Sequence, residues 1–251
     1  MSDLRLVAAH KTYVTANGTI TALDNVSVDF PAGLVTAVIG PSGCGKSTLL
    51  KACNGLVALE RGAVIAFGAP MDYDALPALR RRMGYAVQGN GLFPHLSASD
   101  NITLMARLSG WSPQRIEQQL SLLTSLCQLP QALLAQFPHQ LSGGQQQRVG
   151  LCRALMLKPG VLLLDEPFAA IDPITRVEIY QDFTALHSAN PVTTVLVTHD
   201  MREALRLADH ILVMHNGRLV YNRSKAQLLH SVHADDAEAL LLSLIERTGP
   251  A

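Results

Sequence analysis

The fold is indicated most clearly by LVTAVIGPSGCGKST, residues 34–48. Its first six residues are almost continuously apolar, which is typical of a strand buried on both faces of a sheet. The next nine, residues 40–48, fit the phosphate-loop pattern G-x-x-x-x-G-K-[ST], and a helix is predicted from about Lys46 to Gly55. Glycines let backbone N–H groups turn toward phosphate oxygens, and the helix points its positive N-terminal end at the same anion. The sequence therefore predicts a nucleoside triphosphate site, with Lys46 at the β- and γ-phosphates and Ser47 on Mg²⁺.

The surrounding sequence predicts an α/β fold. Short apolar runs alternate with helical patterns, as in a parallel sheet, and they cover residues 83–87, 161–164, 193–198 and 211–214. Near the N-terminus, alternating apolar residues flank the hairpin signal Asn17-Gly18 and predict a small antiparallel sheet. Residues 88–158 differ because they look mostly helical, with breaks at four prolines. We expect a helical insert there, and two short helices after Ser224.

Two carboxylates follow the apolar run at residues 161–164. Asp165 is placed to hold Mg²⁺, and Glu166 to orient or deprotonate an attacking water. An acidic turn after a strand is common by itself. The phosphate loop upstream favours the functional interpretation, because Mg²⁺ needs a second anchor.

A third motif, LSGGQ at residues 141–145, precedes a helical pattern at residues 146–157. Small residues at a helix N-terminus form another anion site. One nucleotide has one γ-phosphate, and the loop at residues 40–48 already holds it. We therefore expect residues 142–145 of each subunit to close over the nucleotide of a partner in a two-fold dimer.

Composition excludes several classes of protein. The 251 residues include 20 Lys+Arg and 20 Asp+Glu, so the formal net charge is zero and no general nucleic-acid partner is expected. Only 16% of the residues are charged, against about 25% in typical soluble proteins. A partner protein that covers part of the surface would explain this low charge. No apolar run reaches the ~18 residues of a membrane span. The four cysteines lack C-x-x-C spacing and are expected to be free thiols: Cys44, Cys53, Cys127 and Cys152.

In order and type, these motifs resemble the nucleotide-binding subunit of an ATP-binding cassette (ABC) transporter. The resemblance implies a P-loop NTPase cassette with a RecA-like parallel sheet core, an N-terminal antiparallel β subdomain and a helical insert. It implies an ABC ATPase domain over residues 1–230, with a helical subdomain at about 89–157 inserted, and a short helical extension over 231–251. It also implies ATP and Mg²⁺ as substrate and cofactor.

The resemblance assigns roles residue by residue. Three residues would be catalytic: Glu166, His199 and Gln88. His199 corresponds to the switch histidine of the family, and Gln88 to the glutamine of its Q-loop. Mg²⁺ would be held by Ser47, Gln88 and Asp165. The residues placed at the nucleotide are Tyr13, which stacks on adenine, Gly40, Pro41, Ser42, Gly43, Cys44, Gly45, Lys46, Ser47, Thr48, Ser142, Gly143, Gly144, Gln145 and the D-loop residue Asp172.

For two of these residues, a purely structural role is the alternative to a functional one. Tyr13 also suits a hairpin tyrosine that packs on the sheet. Cys44 is either a reactive thiol, with a pKa lowered by the helix N-terminus, or an inert spacer.

A finer resemblance concerns the transported solute. RRRMGYAVQ at residues 80–88, GLFPH at 91–95 and PHQLSGGQQQRVG at 138–150 are similar to importers of glycine betaine, choline and related osmoprotectants. The resemblance implies a homodimer or pseudo-dimer of ATPase subunits, separate transmembrane permease subunits and an extracytoplasmic solute-binding protein. It places the chain at the cytoplasmic side of the inner (plasma) membrane, as a peripheral subunit.

Alternatives stay open at this point. Importers of polar amino acids and of phosphate share parts of these stretches. An exporter ATPase is a further alternative, as is a non-transport ABC ATPase that acts on DNA, ribosomes or cofactor assembly.

Overall fold

The computed structural model describes residues 3–16, 18–87, 91–169, 171, 173–231 and 236–246. The chain divides into two units. Unit 1 contains Met1–Leu76 and Thr193–Ala251, and unit 2 contains Pro77–Val192.

An antiparallel sheet forms the N-terminal part of unit 1. Its strands are β1 (Leu4–Thr15), β2 (Gly18–Phe30), β4 (Arg61–Ala66) and β5 (Ala69–Pro70), in the order β2-β1-β4-β5. Leu4 and Leu6 are buried while Arg5 between them is exposed, so the side chains alternate as a half-buried strand requires. Thr15 pairs with Gly18, which places the predicted hairpin turn between β1 and β2. Asn17 of that turn lies outside the described residues.

The second sheet of unit 1 carries the parallel strands. They are β3 (Val35–Ile39), β8 (Thr193–Val197) and β9 (His210–His215), with β10 (Arg218–Ser224) at the edge, in the order β10-β9-β3-β8. β3 is parallel to both β8 and β9. Every residue of β3 and β8 is buried, which explains their continuous apolar sequence.

In unit 2, two parallel strands, β6 (Met83–Ala86) and β7 (Val161–Asp165), pair side by side, with Met83 opposite Val161. β7 is buried along its whole length. The described residues between these strands, from 91 onward, are mostly helical, as predicted.

The helices of the chain are α1 (Lys46–Cys53), α2 (Leu76–Arg80), α3 (Ala98–Leu108), α4 (Pro113–Leu126), α5 (Gly143–Leu155), α6 (Pro173–Ala189), α7 (Met201–Leu207), α8 (Lys225–Ser231) and α9 (Ala237–Glu246). Short 3₁₀ turns cover Gln131–Leu133 and Pro138–Gln140. Within unit 2, α3 packs on α5, and α4 packs on both. None of the helices in the described ranges combines the length and the apolar character needed to cross a membrane.

Capping side chains set where the helices of unit 2 begin. Ser112 Oγ accepts a hydrogen bond from Arg115 N at 3.4 Å, and Pro113 occupies the first helical position of α4, where its missing N–H costs nothing. The helix predicted from Gln146 begins at Gly143 instead. The cause is Ser142, which caps the helix four residues before Gln146.

Candidate nucleotide-binding site

The phosphate loop joins β3 to α1 and is held by close backbone packing. Gly40 and Gly45 have φ angles of 152° and 110°, in the region that favours glycine. A Cβ at Gly40 would strike the carbonyl oxygen of Met214, and one at Gly45 would strike that of Ala22. The close packing of neighbouring strands therefore requires glycine at both positions. The space that a bound phosphate needs is a separate reason for glycine in this loop.

The ammonium group of Lys46 lies inside the loop. The side chain is only 7% exposed, and Nζ donates to the carbonyl oxygens of Gly40 at 2.7 Å and Pro41 at 2.9 Å. The next contact is the sulfur of Cys44 at 3.8 Å, a weak acceptor. An ammonium has three N–H donors, so a phosphate oxygen that replaced the sulfur would complete its hydrogen bonding.

Cys44 is buried in this loop. Burial raises the pKa of its thiol, and the opposing effect of the nearby Lys46 ammonium is smaller. The sequence leaves two possibilities open for Cys44. The first, that the helix N-terminus lowers the pKa of this thiol, is therefore wrong. A raised pKa favours the other possibility, an inert spacer, because the thiolate is the reactive form of cysteine.

His199 lies beside the phosphate loop in the parallel sheet. Val38 of β3 pairs with Val197 of β8. Gly40 lies two residues after Val38, and His199 lies two residues after Val197, so both residues follow the ends of neighbouring strands. The N–H of Thr198 donates to Val38 O at 3.2 Å, which continues the ladder toward the loop. His199 is exposed at this edge.

Asp200 fixes the backbone that presents His199. Its carboxylate accepts hydrogen bonds from the N–H groups of Arg202 at 2.9 Å and Glu203 at 3.2 Å, and so caps α7. Its own N–H donates to Thr198 Oγ1 at 3.0 Å. Sequence reasoning missed Asp200, although an Asp directly before a helical pattern is a known N-cap signal.

Tyr13 stands on β1 of unit 1 with its ring 37% exposed. The ammonium of Lys11 lies 5.5 Å from the ring centroid. That ammonium is itself paired with Glu60 at 3.2 Å. The partly exposed Tyr13 ring is able to stack on a base.

Unit 2 brings the two predicted carboxylates together at the end of β7. Asp165 is 7% exposed. Burial of Tyr85, together with the negative charge of Asp165, raises the pKa of Tyr85 to about 12. Glu166 follows with a φ of 47°, a left-handed conformation that costs a non-glycine residue about 1–3 kcal/mol. Such strain is concentrated at functional sites, and here it turns the chain sharply as it leaves the buried strand.

The residues of the LSGGQ motif begin α5 with a reciprocal cap. Ser142 Oγ accepts from Gln145 N at 3.3 Å, and Gln145 Oε1 accepts from Ser142 N at 2.9 Å. The first-turn N–H groups of Gly143 and Gly144 take no part in this pair of bonds. Ser142 and Gly143 are exposed. The S-x-x-Q spacing was a visible signal for this cap, which the sequence reasoning did not use.

Gln146 supports the motif from behind. Its side-chain N–H groups donate to the carbonyl oxygens of Pro138 at 2.9 Å and Leu141 at 3.1 Å. No local sequence pattern predicts these two hydrogen bonds of Gln146.

Two predicted site residues, Gln88 and Asp172, lie outside the described residues. The others fall into two groups. Unit 1 brings together residues 40–48 and His199 and also carries Tyr13. Unit 2 carries Asp165 with Glu166, and the cap at residues 142–145.

Comparison with known proteins gives consistent matches. A family model described as "ABC transporter" matches residues 23–169. The glycine betaine uptake system ATP-binding protein YehX of Escherichia coli K12 is 45% identical over 212 residues, which are 84% of this chain and 69% of YehX. The osmoprotectant import ATP-binding protein OsmV of Salmonella typhimurium LT2 is 41% identical over 229 residues, 90% of this chain and 60% of OsmV.

A relative with a different named solute is equally similar. The Fe(3+) ions import ATP-binding protein FbpC of Pseudomonas fluorescens Pf-5 is 42% identical over 243 residues, 96% of this chain and 66% of FbpC. The chain spans 60 to 69% of the length of these three relatives.

Among solved structures, the ATP-binding cassette MJ0796 is similar over nearly its whole length. Its dimer in a post-hydrolysis state with bound ADP and Pi superposes with a TM-score of 0.82 at 30% identity, covering 88% of this chain and 98% of MJ0796. The α/β cassette fold predicted from the motifs is thereby confirmed. The family model covers more than half of the chain and agrees with the relatives and the fold, so this chain belongs to the ABC transporter family.

Proposed function

We propose that this chain binds ATP and hydrolyses it to ADP and phosphate, as the energising subunit of an importer. The observation that carries the proposal is the buried ammonium of Lys46, which is held at 2.7 and 2.9 Å by loop carbonyls. This buried cation closes the glycine-rich loop through those two bonds, and its third N–H has only the weak acceptor Cys44 Sγ. It has an obvious use as the partner of a nucleotide's β- and γ-phosphates.

In the hydrolytic step, water attacks the γ-phosphorus in line with the leaving ADP oxygen. Glu166 accepts or orients a proton of this water, and the imidazole of His199 donates to a γ-phosphate oxygen. Lys46 stabilises the negative charge that develops on the phosphate oxygens. Gln88 is assigned beside them through the family resemblance.

The available side chains fit Mg²⁺ by their chemistry. Ser47 offers a hydroxyl and Asp165 a carboxylate, and hard oxygen ligands are those that Mg²⁺ prefers. Gln88 would add an amide oxygen. When bound, Mg²⁺ neutralises phosphate charge, and these residues of the chain would hold it.

We further propose that two cassettes form composite sites. The exposed N-terminus of α5, with Ser142 and Gly143 at its tip, supports contact with the nucleotide of a partner subunit. The dimer recorded for MJ0796 supports the pairing of two cassettes. Asp172 would contribute at this dimer interface. ATP binds the closed dimer better than the open one, and hydrolysis reopens it, which is a population shift coupled to transport.

We assign the imported solute to the quaternary amines, of the glycine betaine or choline type. The names of YehX and OsmV support this class. The cassette would act at the cytoplasmic face of the inner membrane, docked to separate permease subunits and supplied by an extracytoplasmic binding protein.

Uptake in cells tests the solute. A strain that lacks the gene is grown at high osmolarity with labelled glycine betaine, choline or proline, with and without a plasmid copy. We expect uptake of a quaternary amine to return with the wild-type gene and to stay absent with a Glu166→Gln copy. Equal uptake in all strains contradicts the assignment.

Iron is a second candidate solute because FbpC is as similar as OsmV. The same strains decide between the two. Uptake of labelled ferric iron that follows the gene, with no effect on betaine or choline, would favour iron.

A further inference from the structure

Two of the four cysteines meet at the junction of two helices in unit 2. Cys127 directly follows α4 as its C-cap, and Cys152 lies within α5, the helix that begins at the LSGGQ motif. The neighbouring thiol of Cys127, together with burial, holds the pKa of Cys152 well above its usual range.

One backbone oxygen fixes both residues. The carbonyl of Leu123 accepts from Cys127 N at 2.9 Å and from Cys152 Sγ at 3.5 Å. These two hydrogen bonds to the same oxygen atom therefore place the sulfur of Cys152 close to the backbone of Cys127.

The two thiols differ in access. Cys152 is 0% exposed, whereas Cys127 is 6% exposed and lines a narrow cleft together with Arg148 and Asp182. The Arg148 side chain also donates to Gln128 O at 2.8 Å, which keeps its charge next to Cys127. Cys127 lines this cleft and Cys152 does not, so a small reagent that enters the cleft meets Cys127 first.

We propose that Cys127 and Cys152 form an oxidisable dithiol that reacts with hydrogen peroxide to give an intramolecular disulfide that joins α5 to the C-terminal end of α4. The Cys127 thiolate attacks one peroxide oxygen, the O–O bond breaks, and hydroxide leaves and is protonated to water. Cys127 is then a sulfenic acid. The sulfur of Cys152 attacks it, the S–S bond forms, and a second water leaves. Two thiols supply the two electrons that reduce one peroxide to two waters.

The other two cysteines provide the comparison. Cys44 and Cys53 lie in unit 1, and burial raises the pKa of both thiols. Neither has a thiol neighbour among the described residues that would resolve a sulfenic acid.

The test exposes the reduced, folded chain to hydrogen peroxide, blocks remaining thiols with an alkylating agent, and maps the peptides by mass spectrometry. In the wild type and in Cys53→Ala we expect a disulfide that joins the peptides of Cys127 and Cys152 and is removed by dithiothreitol. In Cys152→Ala we expect a sulfenic acid at Cys127, trapped by dimedone. In Cys127→Ala we expect Cys152 to remain a thiol.

Thermal unfolding of each variant confirms that it is folded before oxidation. The proposal is overturned if Cys127 becomes a sulfenic acid in the folded wild type and no link to Cys152 follows. It is also overturned if Cys152 is oxidised equally well in folded Cys127→Ala, or if the link appears only after unfolding in guanidinium chloride.

Discussion

At the scale of the residue, Lys46 shows how the phosphate loop is poised for an anion. Its ammonium is buried and satisfied by two carbonyls and one weak sulfur contact. The sulfur is the weakest of these acceptors, so a phosphate oxygen in its place would gain a charge-assisted hydrogen bond.

The substitution Lys46→Ala is expected to weaken ATP binding by about 10- to 100-fold, because a hydrogen bond to a charged group contributes about 1.5–3 kcal/mol. Titration with a fluorescent ATP analogue measures the affinity. The matched control is Lys51→Ala, which removes an exposed lysine of the same helix α1. Equal affinity of Lys46→Ala and Lys51→Ala would contradict the assigned role.

Glu166→Gln separates binding from hydrolysis. The amide keeps the size of the side chain and the left-handed backbone, so folding and ATP affinity should change little. Loss of the proton acceptor should slow hydrolysis by about 10²- to 10⁴-fold. Phosphate release under saturating ATP is the measurement, with Glu178→Gln on α6 as the control. Turnover at the wild-type rate would remove Glu166 from the mechanism.

At the scale of the element, α5 has a cap that does two things. The Ser142–Gln145 pair of hydrogen bonds defines the start of the helix, and it also leaves the glycine N–H groups at an exposed tip. The structural role and the proposed nucleotide-binding role of Ser142 must therefore be separated by experiment.

The substitution Ser142→Ala should lower the free energy of unfolding by about 1 kcal/mol through loss of the cap. Ser112→Ala is the matched control, since Ser112 caps α4 with a similar bond of 3.4 Å against 3.3 Å. Urea denaturation should show similar losses for both, while ATP hydrolysis should fall only in Ser142→Ala. If both variants keep full activity, Ser142 is a helix cap and nothing more.

Elements with a strong local pattern were predictable, and details set by distant contacts were not. The continuous apolar run of β3 and the G-x-x-x-x-G-K-[ST] spacing suffice to predict a strand, a loop and a helix. The collision of a Cβ at Gly40 with Met214 O depends on a strand more than 170 residues away. The left-handed conformation of Glu166 is also invisible in the sequence, because glutamate seldom adopts it.

At the scale of the whole molecule, the low charge now has a partial physical explanation. The charge-free stretch from Gln118 to Gln147 includes buried core residues of α4, such as Leu120 and Leu123. The same stretch exposes Leu122 at 48% and Phe137 at 39%. Part of the charge deficit is therefore apolar core, and part is apolar surface, as expected of a subunit that works against partners.

The cassette is proposed to complete its ATP site only with a second copy. Glu166→Gln, which holds ATP without hydrolysing it, should accumulate the closed dimer. Adding Ser142→Arg should prevent this dimer, because a long cation at the tip of α5 blocks its approach to the partner's nucleotide, whereas the monomer should still bind ATP.

Sedimentation velocity of Glu166→Gln with ATP and with ADP measures this assembly. We predict a dimer with ATP, a monomer with ADP, and a monomer in both nucleotides for Glu166→Gln/Ser142→Arg. A Glu166→Gln protein that binds ATP and stays monomeric, or a double variant that dimerises as well as the single one, would contradict the composite ATP site.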